Sequence, residues 1–409
     1  MKKRFLISAA FALTLAACSN EEVKPKEETE PKQEEEAKVQ ATETEEHHEE
    51  EHESFTRFVA TSDTAIHIFN DHFEQIQTIE AANASAVQIA HSPFALLKHT
   101  EAAQPYQFMH TGVWSEDHGD HEHPYAEDAR LLDAMTENNK PAHVVSFNNQ
   151  VAVFNDDSGA VQVYKTDEHA IDNTPTFQYE FKGTPHHGVA IPLPQNELAV
   201  SFVAKEGDAL PTGVKIVNDK GEEQSRITET CTDLHGAAYV DNTLAFGCVG
   251  SVVLYDVATK ETKEIALKEE GSRVGTIKFA HDSDYLLTNY SIGKEPATEV
   301  GIIHRSTGEL TYVTIPVAYK SALYATKDKG YVLAEDGYLY EIDFKTATIS
   351  TKIHAFNAFD LATEAPTIFE ANDQLYVMMP SYQKVYEVHG NHTHEVAKLD
   401  FIPTSFIVK

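Results

Sequence analysis

The sequence predicts an all-β protein with the architecture of a β-propeller, and three observations support this fold class. Between residues 55 and 409, short runs of alternating apolar and polar residues recur between turn residues, for example over 150–154 and 160–164. Alternation with a period of two indicates β-strands. The runs also recur at a longer step of about 40 to 48 residues, which is typical of propeller blades. Long helical patterns are scarce, and the best helix candidate is 126–137.

The longer repeat defines the expected blades. Units of four short strands begin near residues 86, 141, 185, 233, 274, 321 and 365. Residues 403–409 have the pattern of an innermost strand, whereas 56–71 and 73–80 have the pattern of outer strands. Joined, these N- and C-terminal strands would complete one composite last blade and close the ring, which leaves no open strand edge. We therefore expect eight blades, with seven as the alternative.

The charge of the chain limits the kinds of molecule that it can bind. The 409 residues include 65 acidic and 32 basic side chains, which give a formal net charge of −33, and there are 22 histidines. Nucleic acids and anionic lipid surfaces require clustered Lys and Arg, so this balance argues against both. An excess of carboxylates together with histidine favours a divalent cation as the partner.

The N-terminus has the pattern of an export signal. Three basic residues at positions 2–4 precede an apolar run over 5–17, which is too short to span a bilayer as a helix. The run ends in Leu-Ala-Ala-Cys18, which resembles a bacterial lipobox. This pattern predicts a lipoprotein signal peptide over 1–18, a lipid on Cys18, and an exported protein anchored to the outer face of the bacterial cell membrane.

An acidic tether is expected to follow the signal peptide. Residues 19–53 contain 15 Glu and 4 Lys and no aromatic residue. Such a composition cannot bury enough apolar surface to fold. We therefore expect a disordered tether over 19–53 and a folded propeller domain over 54–409.

Two cysteines remain in the expected domain, Cys231 and Cys248. Outside the cytoplasm such a pair usually forms a disulfide, and a separation of 17 residues suits two strands joined by a hairpin. Two buried free thiols are the alternative.

Three histidines occupy the same position in three successive units. His143, His187 and His235 each lead directly into an expected innermost strand. The starts of the innermost strands lie beside the central channel, so radial repetition directs the three imidazoles at one place. Three convergent nitrogens can bind zinc, with a carboxylate or water as the fourth ligand. His186 could replace its neighbour or support it from outside. The alternative is that each histidine is hydrogen-bonded within its own blade.

Further histidine clusters lie outside this register, and short His-rich tracts indicate metal binding. A mobile surface loop near 115–125 is a candidate for metal capture, through His118, Asp120, His121 and His123. The end of the tether could capture cations weakly or act as a solvated spacer, and it carries His47, His48 and His52. A tract over 389–394 is expected to be a hairpin turn.

Several motifs resemble the AztD-type zinc metallochaperones. These motifs are Pro-His-His-Gly-Val-Ala over 185–190, Cys-Thr-Asp-Leu-His-Gly-Ala-Ala over 231–238 with Phe-Gly-Cys over 246–248, and the loop over 118–125. The resemblance implies an exported propeller that binds zinc and passes it to the solute-binding protein of an ABC importer. It implies an interior site, a mobile His-rich loop and a Cys231–Cys248 disulfide. The lipobox and the acidic tether depart from that family and suggest a membrane-anchored version.

We therefore expect a zinc-binding carrier rather than an enzyme, because no nucleophile signature is present. Imidazole and carboxylate ligands favour zinc over nickel or copper(II), and copper(I) would require Met and Cys. Two other functions stay open. A zinc ion held by three histidines could also activate water in a hydrolase, and the propeller could be a cell-surface interaction module that needs no metal.

Overall fold

The computed structural model describes residues 55–99, 104–117, 119, 122–137, 141–166, 171–293, 295–320 and 322–409. The expected signal peptide, Cys18, the acidic tether and its three histidines lie outside the described residues. Within the described ranges the chain forms β-strands and one short 3₁₀ turn over Pro194–Asn196, and no α-helix. None of these elements is a helix with the length and apolarity that a membrane crossing requires.

The first seventeen strands extend to the middle of the chain. They are β1 (Phe58–Thr61), β2 (Ala65–Phe69), β3 (Gln75–Glu80), β4 (Ala84–Gln88), β5 (Phe94–His99), β6 (Gln107–His110), β7 (Val113–Asp117), β8 (Glu122–Ala126), β9 (Arg130–Met135), β10 (Pro141–Phe147), β11 (Gln150–Asn155), β12 (Ala160–Lys165), β13 (Thr176–Lys182), β14 (Ala190–Leu193), β15 (Glu197–Phe202), β16 (Gly213–Val217) and β17 (Glu223–Thr228).

The remaining strands follow the same pattern of short, antiparallel neighbours. They are β18 (Gly236–Val240), β19 (Thr243–Gly247), β20 (Ser251–Asp256), β21 (Thr262–Ala266), β22 (Ser272–Arg273), β23 (Ile277–Lys278), β24 (Tyr285–Ile292), β25 (Ala297–His304), β26 (Leu310–Tyr319), β27 (Leu323–Ala325), β28 (Lys329–Leu333), β29 (Tyr338–Asp343), β30 (Thr348–His354), β31 (Thr367–Ala371), β32 (Gln374–Met379), β33 (Lys384–His389), β34 (His392–Lys398) and β35 (Ser405–Val408).

Strand pairing in the described residues gives eight groups of four adjacent antiparallel strands, and each has the strand order of one propeller blade. The groups are β35-β1-β2-β3, β4-β5-β6-β9, β10 to β13, β14 to β17, β18 to β21, β23 to β26 with the short β22, β27 to β30, and β31 to β34. The last two groups touch through one parallel bridge between their outer strands. The all-β propeller fold is confirmed, and eight blades rather than seven stays our expectation for the ring.

The two ends of the folded chain complete one group together. Strand β35 pairs with β1 in antiparallel register from Phe58 opposite Val408 to Thr61 opposite Ser405. Reciprocal backbone hydrogen bonds of 2.7 and 2.8 Å between Arg57 and Lys409 extend this ladder. The predicted closure by N- and C-terminal strands is confirmed. Closure of this kind leaves no open edge for another chain to pair with.

The helix expected over 126–137 is wrong. This segment contains β9, the outer strand of the second group, which pairs with β6. The apolar residues of β9 fit the pattern of a half-buried strand as well as that of one helix face. The strand forms because it can pair with the open edge of β6. The preceding segment, expected as a loop, forms the β7–β8 hairpin.

Apolar residues fill the spaces between neighbouring groups. In one such cluster, Ala152 and Phe154 of β11 pack with Leu198 and Val200 of β15, and each of the four side chains is at most 1% exposed. Burial of this size contributes about 1.5–3 kcal/mol for each large apolar side chain. The groups are therefore fixed face to face around the channel.

All innermost strands run in the same direction along the channel, because each group repeats the same order of strands. The starts of these strands meet at one end of the channel, which we call the site mouth, and their ends meet at the opposite end, the far mouth. Neighbouring innermost strands contact one another, for example β10 with β14 and β31 with β35.

A disulfide joins Cys231 to Cys248, as predicted. Cys231 precedes β18 and Cys248 follows β19, and both side chains are fully buried. The bond therefore ties the entry of one innermost strand to the end of its neighbour. His235 lies between the disulfide and β18, so the bond shortens the free segment that carries this histidine.

Replacing both cysteines by alanine should lower the free energy of unfolding by about 3 kcal/mol, because the cross-link closes a short loop in the unfolded chain. Urea unfolding of the wild-type and variant proteins measures the difference. Adding a reductant to the wild type should give the same loss and leave the variant unchanged. A loss well below 1 kcal/mol would contradict the expectation.

Candidate metal centre

Three imidazoles converge at the site mouth. His143 lies on β10, while His187 and His235 stand just before β14 and β18. One ring nitrogen from each lies within 4.8 Å of the other two. Ring centroids are 4.6 Å apart for His143 and His187, and 5.8 Å apart for His187 and His235. A tetrahedral zinc ion with bonds of about 2.0–2.1 Å needs nitrogens about 3.3 Å apart, so small side-chain rotations would bring them into range.

His143 is the most constrained member of this three-His group. Its Nδ1 is buried and has no hydrogen-bond partner among the described residues. Burial, followed by the neighbouring His187 and His235, lowers the pKa of the His143 imidazole. A buried nitrogen without a partner costs about 1–3 kcal/mol. A bound metal ion would satisfy it, and the neutral ring is the form that binds metal.

Asp156 orients His187. The Nδ1–H of His187 donates to Oδ2 of Asp156 at 2.7 Å, and this leaves Nε2 of the ring available to a ligand. Asp156 follows β11, so the adjoining group supplies the partner. A carboxylate behind a ligating histidine fixes its tautomer and raises its basicity. Sequence reasoning missed this residue, because Asp156 follows a strand as many turn residues do.

His235 is held by the neighbouring group in a similar way. Its Nδ1–H donates to the carbonyl of Gly275 at 3.1 Å. That carbonyl is available because the innermost strand is interrupted between β22 and β23. Oδ1 of Asn289 accepts hydrogen bonds from the amides of Gly275 and Thr276 at 2.8 and 2.7 Å, which stabilises the interruption. The interrupted strand thus presents a backbone carbonyl to His235, whereas the innermost strands of the other groups pair regularly.

His186 does not join the three-His group. Its Nδ1–H donates to the carbonyl of Thr184 at 2.7 Å, and the hydroxyl of Ser201 lies 2.9 Å from Nε2. Both ring nitrogens are therefore occupied, and burial lowers the pKa of this imidazole. A Cβ on Gly188 would lie 2.4 Å from Nε2 of His186 and 2.4 Å from Phe154, which explains the glycine of the Pro-His-His-Gly motif. His186 is a packing residue that shapes the turn carrying His187.

The three-His group faces a cavity of about 290 Å³. Backbone and apolar side chains of four neighbouring innermost strands form most of the remaining wall. Lys278 also lines this cavity, deeper along β23. Burial lowers the pKa of its ammonium group. No carboxylate is among the described residues that line the cavity, so the candidate metal ligands there are imidazoles.

Of the other predicted metal residues, His123 is the one that the structure describes, and it is not a member of the three-His group. His123 is exposed on β8, and His118, Asp120 and His121 lie outside the described residues. The aromatic ring of Trp114 on β7 stacks on Tyr125 of β8 at 5.1 Å between centroids. The tract over 389–394 forms the turn between β33 and β34, as expected.

Comparison with known proteins confirms the predicted resemblance. No protein-family model matches the chain. The chain is 24% identical over 295 residues to a protein of Citrobacter koseri named zinc chaperone AztD, and the match covers 67% of this chain and 66% of that protein. It thus spans just under two thirds of the length of that relative.

Two solved structures of Citrobacter koseri AztD share the fold. One crystal structure superimposes with a TM-score of 0.74 and 18% identity, over 87% of this chain and 98% of that chain. The apo structure gives a TM-score of 0.73 with 19% identity over the same shares of both chains. At these identities the structural similarity establishes the propeller fold. The chemistry of the site follows from the residues of this chain.

Removal of the Asp156 side chain should weaken zinc binding by roughly 10- to 100-fold, because His187 would lose the carboxylate that orients it. Competition with a chromogenic chelator measures the affinity of Asp156→Ala. Asp219→Ala, which removes an exposed carboxylate from a turn, is the matched control and should bind zinc like the wild type. Equal affinities for the two variants would show that Asp156 has no part in positioning.

The stability of the metal-free protein should fall in acid. The pKa values of His143 and His186 are lowered in the folded state from the ordinary 6.5. Below about pH 6.5 the unfolded chain therefore binds protons that the folded chain does not, so the free energy of unfolding decreases until the pH passes the lowered folded pKa.

Urea unfolding at a series of pH values, with a chelator present, measures this effect. His143→Gln should flatten the dependence below pH 6.5, whereas His354→Gln, at an exposed histidine of β30, should not. A wild-type stability that is constant through this range would contradict the assignment of buried neutral imidazoles.

Proposed function

We propose that this chain is an exported zinc-binding metallochaperone that captures Zn²⁺ and transfers it to the solute-binding protein of an ABC zinc importer. The convergence of His143, His187 and His235 on one cavity, with a buried unsatisfied nitrogen on His143, is the observation that carries the proposal. The similarity to a protein named zinc chaperone AztD supports the same metal and the same role.

The geometry favours a carrier over a hydrolase. A hydrolase needs a general base that can reach the water bound to the metal. The described residues that line the cavity include no carboxylate, and Asp156 is engaged by His187. Three protein ligands leave one position of a tetrahedral ion open. That position suits a ligand from an acceptor protein, which could enter before a histidine of this chain leaves.

Release would begin at the most accessible ligand. His235 is exposed, whereas His143 and His187 are half-buried. An incoming ligand can displace an exposed imidazole with the least rearrangement of the protein. We therefore expect ligand exchange to start at His235 and to end at His143, because the buried Nδ1 of His143 has no hydrogen-bond partner without metal.

The remaining predicted ligands would act before this step. Zinc would first be captured by His123 of β8 together with His118, Asp120 and His121, which lie in the sequence between β7 and β8. His47, His48 and His52 of the tether would concentrate it weakly. The lipid on Cys18 would keep the carrier at the outer face of the membrane, within reach of an importer in the same membrane.

The double variant His187→Ala/His235→Ala should lose the tighter of one to two zinc ions bound by the wild type, because one imidazole alone cannot hold the metal. Metal analysis after equilibrium dialysis gives the stoichiometry. Two exposed histidines that do not line the cavity, replaced as His72→Ala/His354→Ala, provide the control. Full stoichiometry in the first variant would contradict the site.

Transfer is tested with a purified zinc-specific solute-binding protein of an ABC importer. Zinc should move from the loaded wild-type protein to this acceptor faster than to a chelator of equal affinity, because contact replaces free dissociation. Equal rates would contradict direct hand-over. Zinc-dependent turnover of ester or phosphate substrates would favour the hydrolase instead.

A further inference from the structure

Two histidines meet at the far mouth of the channel. His91 follows β4 and His281 follows β23, and both strands are innermost in their groups. The members of the three-His group stand instead at or near the starts of innermost strands. The pair therefore lies at the opposite end of the channel from the three-His group, on two groups that are not neighbours in the ring.

The two side chains approach at the distance of metal ligands. Nε2 of His91 lies 3.1 Å from Nε2 of His281, with the ring centroids 5.1 Å apart and the planes inclined by 64°. Two nitrogens on one tetrahedral ion are separated by about 3.3 Å. The two Nε2 atoms already have this spacing, although 190 residues separate them in the chain.

The turn that carries His91 is held rigidly. The Nζ group of Lys409 donates to the backbone carbonyls of Ile89, Ser92 and Phe94. His91 itself has a left-handed backbone with φ of 52°. Such a conformation is uncommon in a residue other than glycine and persists where the surroundings fix it. His91 is therefore in position before a ligand arrives.

Burial lowers the pKa of His91, and the neighbouring His281 and Lys409 lower it further, which favours the neutral ring that binds a metal.

We propose that His91 and His281 form a second divalent-cation site at the far mouth, with two protein ligands and with further positions for water or for a ligand from a docking protein. Imidazole selects Zn²⁺ or a similar borderline ion. Two protein ligands bind more weakly than three, so this site would hold metal briefly. The proposal rests on its own geometry and does not require zinc at the three-His group.

The full-length protein in the His187→Ala/His235→Ala background, titrated with Zn²⁺, tests the site. Equilibrium dialysis gives the stoichiometry, and ¹H–¹⁵N spectra of the imidazoles identify the rings that change. We expect the resonances of His91 and His281 to shift together as one ion binds. Adding His281→Gln should abolish the binding of this ion, because the substitution removes a nitrogen ligand. The glutamine amide keeps a hydrogen-bonding group near His91.

Two further variants complete the design. His91→Asn tolerates the left-handed backbone and should also lose the ion. His354→Gln, at an exposed histidine elsewhere, should keep it. Unchanged zinc uptake in both pair variants, or resonances of the pair that do not move in the parent double variant, would overturn the proposal and leave the pair as a hydrogen-bonded closure of the channel. This outcome is independent of the three-His group, which the parent double variant tests by itself.

Discussion

The hydrogen-bonded ladder between β1 and β35 is the constraint on which the site depends. It joins the two ends of the folded chain and completes the first four-stranded group. Because each group packs mainly on its neighbours, a ring opened at this point would let the innermost strands diverge. The three-His group and the pair at the far mouth both rely on groups that stay at fixed angles to one another. Closure is therefore a condition of metal geometry as well as of stability.

Two different kinds of electrostatics act on a cation that approaches this protein. The formal net charge of −33 attracts any cation over a long range and falls off with salt. The described lining of the cavity contributes imidazoles and a half-buried lysine, with no carboxylate. Oxygen-preferring ions such as Ca²⁺ and Mg²⁺ would thus be attracted to the surface but find no suitable ligands inside. In the proposed function, attraction would be general, and selection would take place in the channel.

Features that recur from one repeat to the next can be predicted from the sequence, whereas contacts between different repeats cannot. The common register of His143, His187 and His235 follows from the propeller period, and the structure brings their rings together. Asp156 and the carbonyl of Gly275 were not predictable, because each belongs to a neighbouring group and contacts a histidine only after packing. The pair His91 and His281 was missed for the same reason. The segment over 126–137 was misassigned because its pattern fits two elements and the free edge of β6 selects one.

The position of the single tryptophan has an optical consequence. Trp114 lies on β7, stacked on Tyr125 of β8 and 5.6 Å from the ring of His110. Indole emission reports on its immediate surroundings, and the sequence contains one Trp. Fluorescence excited selectively at the indole therefore reports on the hairpin, while the tyrosines elsewhere contribute little. Events at the periphery of the propeller can be followed in real time in the unmodified protein, separately from those in the channel.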